Sequence, residues 1–352
     1  MSASSIEQAI QFALDHETSW SRSTGDQWGI HQSDPPPWNR LRGPVHDRGP
    51  VSGTILLRGQ PLVSWGEPAR PDLTFSVAKT YLALLAGVAH DRGLLPDVDE
   101  PVGRRLSGIG FDAGQNRAVT WAHLLQQTSE WEGSCFGLPD QVDRYRTVQF
   151  QTVTDRGIKG DARPLQAPGS FWEYNDVRVN QLSLALLHLF GRPLPEVFRE
   201  AVMSPIGASD DWRWVGYDDA WVELGGRRVQ SVPGGTHWGA GVSIGSDDQA
   251  RIGQMLLDGG MANGVRVLSA EWIERMRTPC AIAPFYGYLL WLNAGQRVFP
   301  SAPPSSFFAF GAGSSFTWVE PERRMVLVVR WIDADHANEF FARVLEAIDT
   351  LA

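Results

Sequence analysis

Cysteine and lysine are nearly missing from this 352-residue chain, each occurring twice. Cys135 and Cys280 have neither metal-site spacing nor the numbers of a disulfide framework. They read as small buried hydrophobes, and redox chemistry is not indicated. No stretch approaches the roughly 18 consecutive apolar residues of a membrane span. The opening MSASSIEQAIQFALDHE lacks a basic segment followed by an apolar one and reads as an amphipathic helix led by a serine cap. A soluble cytoplasmic protein is the expectation. Clustered positive charge is also absent, and a net charge of −9 argues against nucleic acid or an anionic membrane as partner. Lys79 and Lys159 are the only lysines among 31 cationic residues, so arginine carries nearly all the positive charge and each lysine calls for an explanation.

What remains is a globular composition, 43 % hydrophobic and 20 % charged, sufficient for one large core or two modest ones. PVSGTILLRGQPLVSWG (50–66) is a pair of apolar runs around Arg58-Gly59-Gln60, a hairpin with glycine in the turn. A helix begins near Phe75 and continues through SVAKTYLALLAGVAHDRGLL. Leu82, Leu85 and Val88 share one face, Leu84 widens the apolar coverage, and Gly93 ends it. Residues 96–235 change to short helical stretches and loops. A helix over 247–257 follows Ser246 as cap, and another starts after Ser269. FTWVE and MVLVVRW read as paired strands before the helical ANEFFARVLEAIDTLA. The expected architecture is α+β: an antiparallel sheet flanked by helices, built from residues 1–95 and 236–352, carrying a mostly helical insertion over 96–235.

Two short motifs offer a nucleophile. In Gly241-Val-Ser243-Ile-Gly245 a serine elbow needs a buried strand running into a sharp turn and helix, then an acid and a histidine. Asp333 or Asp335 and His336 supply the order. PGGTHWGAG before Ser243, however, has no apolar run long enough for a central strand, so a glycine-rich turn is the better reading. Ser76-Val-Ala-Lys79, by contrast, heads the apolar helix, where positions i and i+3 share a face and their side chains meet. A lysine drawn into apolar surroundings loses solvation, and its neutral amine becomes a usable base. The helix N-terminus adds backbone N–H groups beside the oxygen that turns negative.

The segment around Ser76, VTWAHLLQQTSEWEG, PGSFWEYNDVRVNQLSLAL, GGTHWGAGVSIGSDDQARIGQMLLDGG and FFAFGAGSSFTWVEPERRMVLVVRW follow one another as in the beta-lactamase-related serine hydrolases, which the chain resembles over roughly residues 50–335. That superfamily includes class C beta-lactamases, D,D-peptidases, family VIII esterases and 6-aminohexanoate-dimer hydrolases. The resemblance implies a beta-lactamase/transpeptidase-like fold with Ser76 as nucleophile. Lys79 and Tyr174 would be its general base and acid, Tyr174 opening a Tyr-x-Asn-like Tyr174-Asn175-Asp176. An oxyanion hole would lie between the Ser76 amide and a wall strand near Phe310, Gly311, Ala312 and Gly313. No metal or organic cofactor is implied.

The chain departs from that pattern in two places. Asp176 puts an acceptor-only carboxylate where an asparagine is usual, and could keep Lys79 protonated at rest. The wall strand lacks Lys-Thr-Gly or His-Thr-Gly, so no cation is available there for a substrate carboxylate. Trp131, Phe136, Trp172, Trp238 and Phe310 suggest an aromatic cleft, with Trp131 and Trp172 as substrate contacts. His237 has no recognisable partner and reads as a hydrogen-bonded loop histidine beside the site. The expected activity is cleavage of a small ester or amide through a Ser76 acyl-enzyme. Acyl transfer from the same intermediate, or a non-catalytic relative binding peptides or acyl ligands, are the alternatives.

Overall fold

The computed structural model describes residues 4–24, 30–148 and 157–351. The opening helix, α1 (Ser5–Asp15), is capped as the sequence suggests: Ser4 accepts the Glu7 amide and Glu7 returns a bond to the Ser4 amide. The hairpin β1 (Ser52–Leu57) and β2 (Gln60–Trp65) turns through Arg58 and Gly59, both at positive φ, the backbone that a two-residue hairpin requires. A short strand β3 (Asp72–Leu73) then feeds the helix α2 (Val77–Asp91), whose residues are buried from Val77 to Ala89.

Within 96–235 lie α3 (Trp121–Leu125), capped by Thr120, and the long α4 (Asp176–Phe190), whose Asn175 cap accepts the amides of Val177 and Arg178. This stretch also holds strands that its composition did not announce, a hairpin over 221–230 and β4 (Arg213–Val215). Beyond it come β5 (Gly241–Ile244), α5 (Ser246–Leu257) and α6 (Ala270–Arg277). Gly245, not Ser246, caps α5, so that helix starts one residue earlier than the sequence suggests. Ser269 caps α6 as expected. The chain closes with β6 (Trp291–Leu292), β7 (Phe307–Gly311), β8 (Ser315–Glu320), β9 (Met325–Arg330) and α7 (Ala337–Asp349).

The main sheet is antiparallel in the order β6-β7-β8-β9-β1-β2, so strands from both chain ends meet where β9 pairs with β1. Strand alternation gives the sheet two apolar faces. Thr317, Val319 and Val326 lie against Gly253 of α5, where an added Cβ would come within 2.6 Å of Val326. On the opposite face Phe341 of α7 packs on Phe299, Phe308, Phe316 and Trp318, with ring centroids 4.8–5.9 Å apart. A second sheet, β3-β5-β4, joins strands from three separated parts of the chain and holds the segment leading into α2. Thr74 N–H extends that hold by donating to Val242 O at 2.9 Å.

Phe341→Ala should cost about 3–5 kcal/mol, the usual range for emptying a buried aromatic site. Denaturant midpoints of the two proteins measure it, with an unchanged slope marking loss of stability rather than of fold.

Candidate active site

Ser76 stands immediately before α2 (φ −74°, ψ −3°), and its hydroxyl caps no helical amide. It receives Lys79 Nζ instead, at 2.8 Å, one turn along the same face. The residue before it, Phe75, is held at φ 51°, a left-handed backbone that costs a non-glycine residue about 1–3 kcal/mol. Strand β7 runs up against this turn at Gly311, where a Cβ would sit 2.2 Å from Thr74 O and 2.6 Å from Ser76 N. Only glycine permits that approach. Among the described residues, neither the Ser76 nor the Ala312 amide donates a hydrogen bond. Both residues line a cleft of about 180 Å³ with Arg146, Val148, Tyr174, Trp291, Phe310, Gly311, Gly313 and Phe316. Ser76, Tyr174, Phe310, Gly311, Ala312 and Gly313 are therefore brought together as the sequence suggests.

Lys79 does not sit in an apolar pocket. Its ammonium lies between Ser76 Oγ and Asp176 Oδ1, over the Tyr174 ring at 4.7 Å from the centroid. Arg146 also lies over the Tyr174 ring, 5.1 Å from its centroid, and the ring stacks on Trp291. No hydrogen bond joins its hydroxyl to Ser76 or Lys79 in this state. The other Asp176 oxygen meets Arg146 Nη1 at 2.7 Å and His237 Nδ1 at 3.2 Å. Arg146 also bonds Asp143 at 3.1 Å, and Asp143 accepts the Asp176 amide at 2.7 Å. Lys159 bridges Asp34 and Asp143, while His237 Nε2 lies 2.8 Å from Asp34 Oδ2. Burial alone would raise the Asp176 carboxyl, but Arg146, Lys79 and His237 overcome it and hold it well below the usual carboxylate range. Asp143 is lowered in the same way, with Arg146 and Lys159 outweighing burial. Asp143, Asp176 and His237 bring ligand-type atoms within 4.8 Å of one another. Three cationic side chains already occupy those oxygens, so the cluster is an ion-pair network rather than a cation site.

Two expected substrate contacts, Trp131 and Trp172, lie elsewhere. Trp131 is buried in the helical region, donating to Gly110 O at 2.8 Å, and its own carbonyl accepts Arg178. A second ion network, Glu130 with Arg163 and Arg178, fixes that turn away from the cleft. Trp172 packs behind Tyr174 and Trp291, against Phe285 and Tyr286, and so supports the cleft wall without lining it. His237 is buried behind Asp176 and stacked on Trp238. Trp238 itself donates to Asp34, and Phe136 is tied by its carbonyl to Arg42. Ser243 is mid-strand in β5 with His46 Nε2 at 2.8 Å, and His336 pairs with Asp333 and lies against His16 with the rings tilted by 34°. The elbow is not built.

Asp34, Asp143, Arg146 and Lys159 were not singled out from sequence as site residues. Their one signal was the scarcity of lysine: both lysines of the chain are in this network.

The family profile for beta-lactamases matches residues 54–348. Among solved structures, a putative 6-aminohexanoate-dimer hydrolase from Bacillus anthracis superposes with a TM-score of 0.63 at 15 % identity, covering 96 % of this chain and 89 % of the other. A family VIII carboxylesterase gives 0.60 at 20 %, covering 86 % and 92 %. A D-stereospecific amidohydrolase from Streptomyces sp. gives 0.57 at 17 %, covering 98 % and 99 %. No curated protein sequence matches significantly. At these identities the structures show a shared fold, and the family match over most of the chain shows descent. The chain belongs to the beta-lactamase family of serine-hydrolase folds.

Proposed function

We propose that this protein cleaves an uncharged ester or amide with an apolar acyl group, through an acyl-enzyme on Ser76. The observation that carries the proposal is the 2.8 Å contact of Lys79 Nζ with Ser76 Oγ at the floor of a cleft beside two unoccupied amides. In the reactive form Lys79 is a neutral amine. Ser76 Oγ bonds to the acyl carbon as its proton passes to Lys79 Nζ, and the carbonyl oxygen takes the electron pair and the Ser76 and Ala312 N–H donors. The carbon–heteroatom bond then breaks, and the Lys79 and Tyr174 pair returns a proton to the leaving group. Water repeats the sequence on the acyl-enzyme, releasing the acid and Ser76.

The lining supports the substrate class. Val148, Tyr174, Trp291, Phe310 and Phe316 are apolar or aromatic, and Arg146 is the one cation among the described lining residues. Its guanidinium is held by Asp143 and Asp176, so among the described lining residues no positive charge is free for a carboxylate. A beta-lactam or peptide C-terminus is thus a poorer match than a neutral acyl compound.

Intact-mass measurement after exposure to a chromogenic short-chain ester or a fluorophosphonate checks the nucleophile. Ser76→Ala should abolish labelling and lower turnover by at least about 10³-fold, the scale of losing a nucleophile, whereas Ser243→Ala should retain both. Labelling that survives in Ser76→Ala overturns the proposal. Gly311→Val places side-chain atoms where Thr74 O and Ser76 N now are. It should slow acylation by about 10²–10³-fold, comparable to losing an oxyanion donor. The rate of the ester burst reads that loss, and thermal melts confirm the fold.

A further inference from the structure

His237 is surrounded in a way that neither the Ser76–Lys79 pair nor substrate contact explains. Each ring nitrogen faces both an acceptor and a donor. Nδ1 lies 3.2 Å from Asp176 Oδ2 and 3.2 Å from Arg146 Nη1. Nε2 lies 2.8 Å from Asp34 Oδ2 and 3.4 Å from Lys159 Nζ. Asp143 Oδ1 stands 3.9 Å from Nδ1, Trp238 stacks on the ring and donates to the same Asp34 oxygen, and the buried His31, held below the usual histidine range chiefly by burial and also by His237, is a further titratable ring beside it. As imidazolium the ring donates to Asp176 and Asp34. As neutral imidazole it donates to one carboxylate and accepts from Arg146 or Lys159 on the other side. Neither state strands a buried polar group, the usual cost that fixes a buried histidine in one form.

Charge counting gives this freedom a use. Lys79, Arg146 and Lys159 balance Asp34, Asp143 and Asp176, so a neutral His237 leaves the network at zero with Lys79 as ammonium. Lys79 and His237 contact opposite oxygens of one carboxylate, Asp176. A positive charge on either site therefore disfavours one on the other. We infer that His237, backed by Asp34, is a positioning pair for the reaction: it holds the network's one exchangeable proton while Lys79 acts as base. The step balances. Lys79 Nζ loses one proton, His237 Nδ1 gains one, no bond to carbon changes, and the network's total charge stays the same. Asp176, held deprotonated by its cations, is the counter-charge both sites share and not the store. Asp34 lies before residue 54, where the family match begins, so this backing is supplied by the chain's own N-terminal segment.

The inference rests on Ser76 acylation by Lys79, and the experiment separates the two. The rate of Ser76 labelling by a chromogenic ester would be followed from pH 5 to 10.5 in wild type, His237→Gln and Asp34→Asn. Glutamine keeps one donor and one acceptor but takes no proton, so it preserves the neutral packing role. His237→Gln should lose roughly 100-fold near neutral pH, within the range for displaced acid–base catalysis. The His237→Gln profile should shift to alkaline pH by a unit or more, the gap closing where hydroxide can deprotonate Lys79 directly, whereas Asp34→Asn, which removes one of the three negative charges, should shift its profile to acid pH. A rate lowered uniformly with the wild-type profile, or left unchanged, overturns the pair as proton holder while Ser76 acylation stands. No labelling of wild type removes both. Should the variants fail to fold by circular dichroism, ¹⁵N-histidine spectra of the intact wild type decide. A His237 imidazolium that appears or disappears across the same pH range as the acylation limb supports the pair, and a ring neutral throughout that range overturns it.

Discussion

A single carboxylate, that of Asp176, organises the site. It reaches Lys79 with one oxygen and Arg146 and His237 with the other, and each of those reaches a further group: Ser76, Asp143, Asp34. Burying so many charges is costly unless every one is paired, and removing one partner from such a pair typically costs about 3–5 kcal/mol. The elements that meet here are α2, the start of α4, the loop before residue 148, the turn before β5 and the N-terminal segment. They are thus fixed relative to one another by charge as well as by packing. The cleft above can keep a largely apolar wall because its polar support lies beneath it.

That arrangement gives the departures from the family's usual pattern a common physical sense. An asparagine following Tyr174-Asn175 would present Lys79 with a neutral amide, whereas Asp176 presents full negative charge and brings Arg146 into the same space. With Arg146 committed to Asp143 and Asp176, and no cation on β7, the cleft wall is left to Phe310, Phe316 and Trp291. Positive charge is absent from β7 and is gathered instead behind Ser76, around Asp176.

The readable parts of the sequence were those where local pattern and three-dimensional role coincide. Helix α2 is apolar on every face because it is buried on every face, and the Ser76-x-x-Lys79 spacing is a one-turn contact that helix geometry guarantees. The hairpins at both chain ends announce themselves through Gly59 and Pro321 turns. The network was not readable, because its members come from residues 34, 143, 146, 159, 176 and 237, and nothing in an aspartate's neighbours along the chain says which arginine it will meet. Trp131 and Trp172 misled for a related reason. Aromatic residues near a motif in sequence were taken for residues near it in space, but Trp131 is pulled off by the Glu130–Arg178 pair and Trp172 lies one layer behind Tyr174. Strand β4 was hidden because a three-residue strand is too short to show a period.

The close approach of Gly311 to the turn before α2 has a consequence for how the protein is made. Ser76 and Lys79 emerge early in synthesis, but the wall that shapes their cleft is supplied by Trp291, Phe310 and Phe316, more than 200 residues later. Contacts between such distant parts of a chain are the last that loop-closure entropy allows to form. A growing chain therefore carries Ser76 and Lys79 long before the wall beside them is in place. The cleft around Ser76 is thus a property of the completed chain alone.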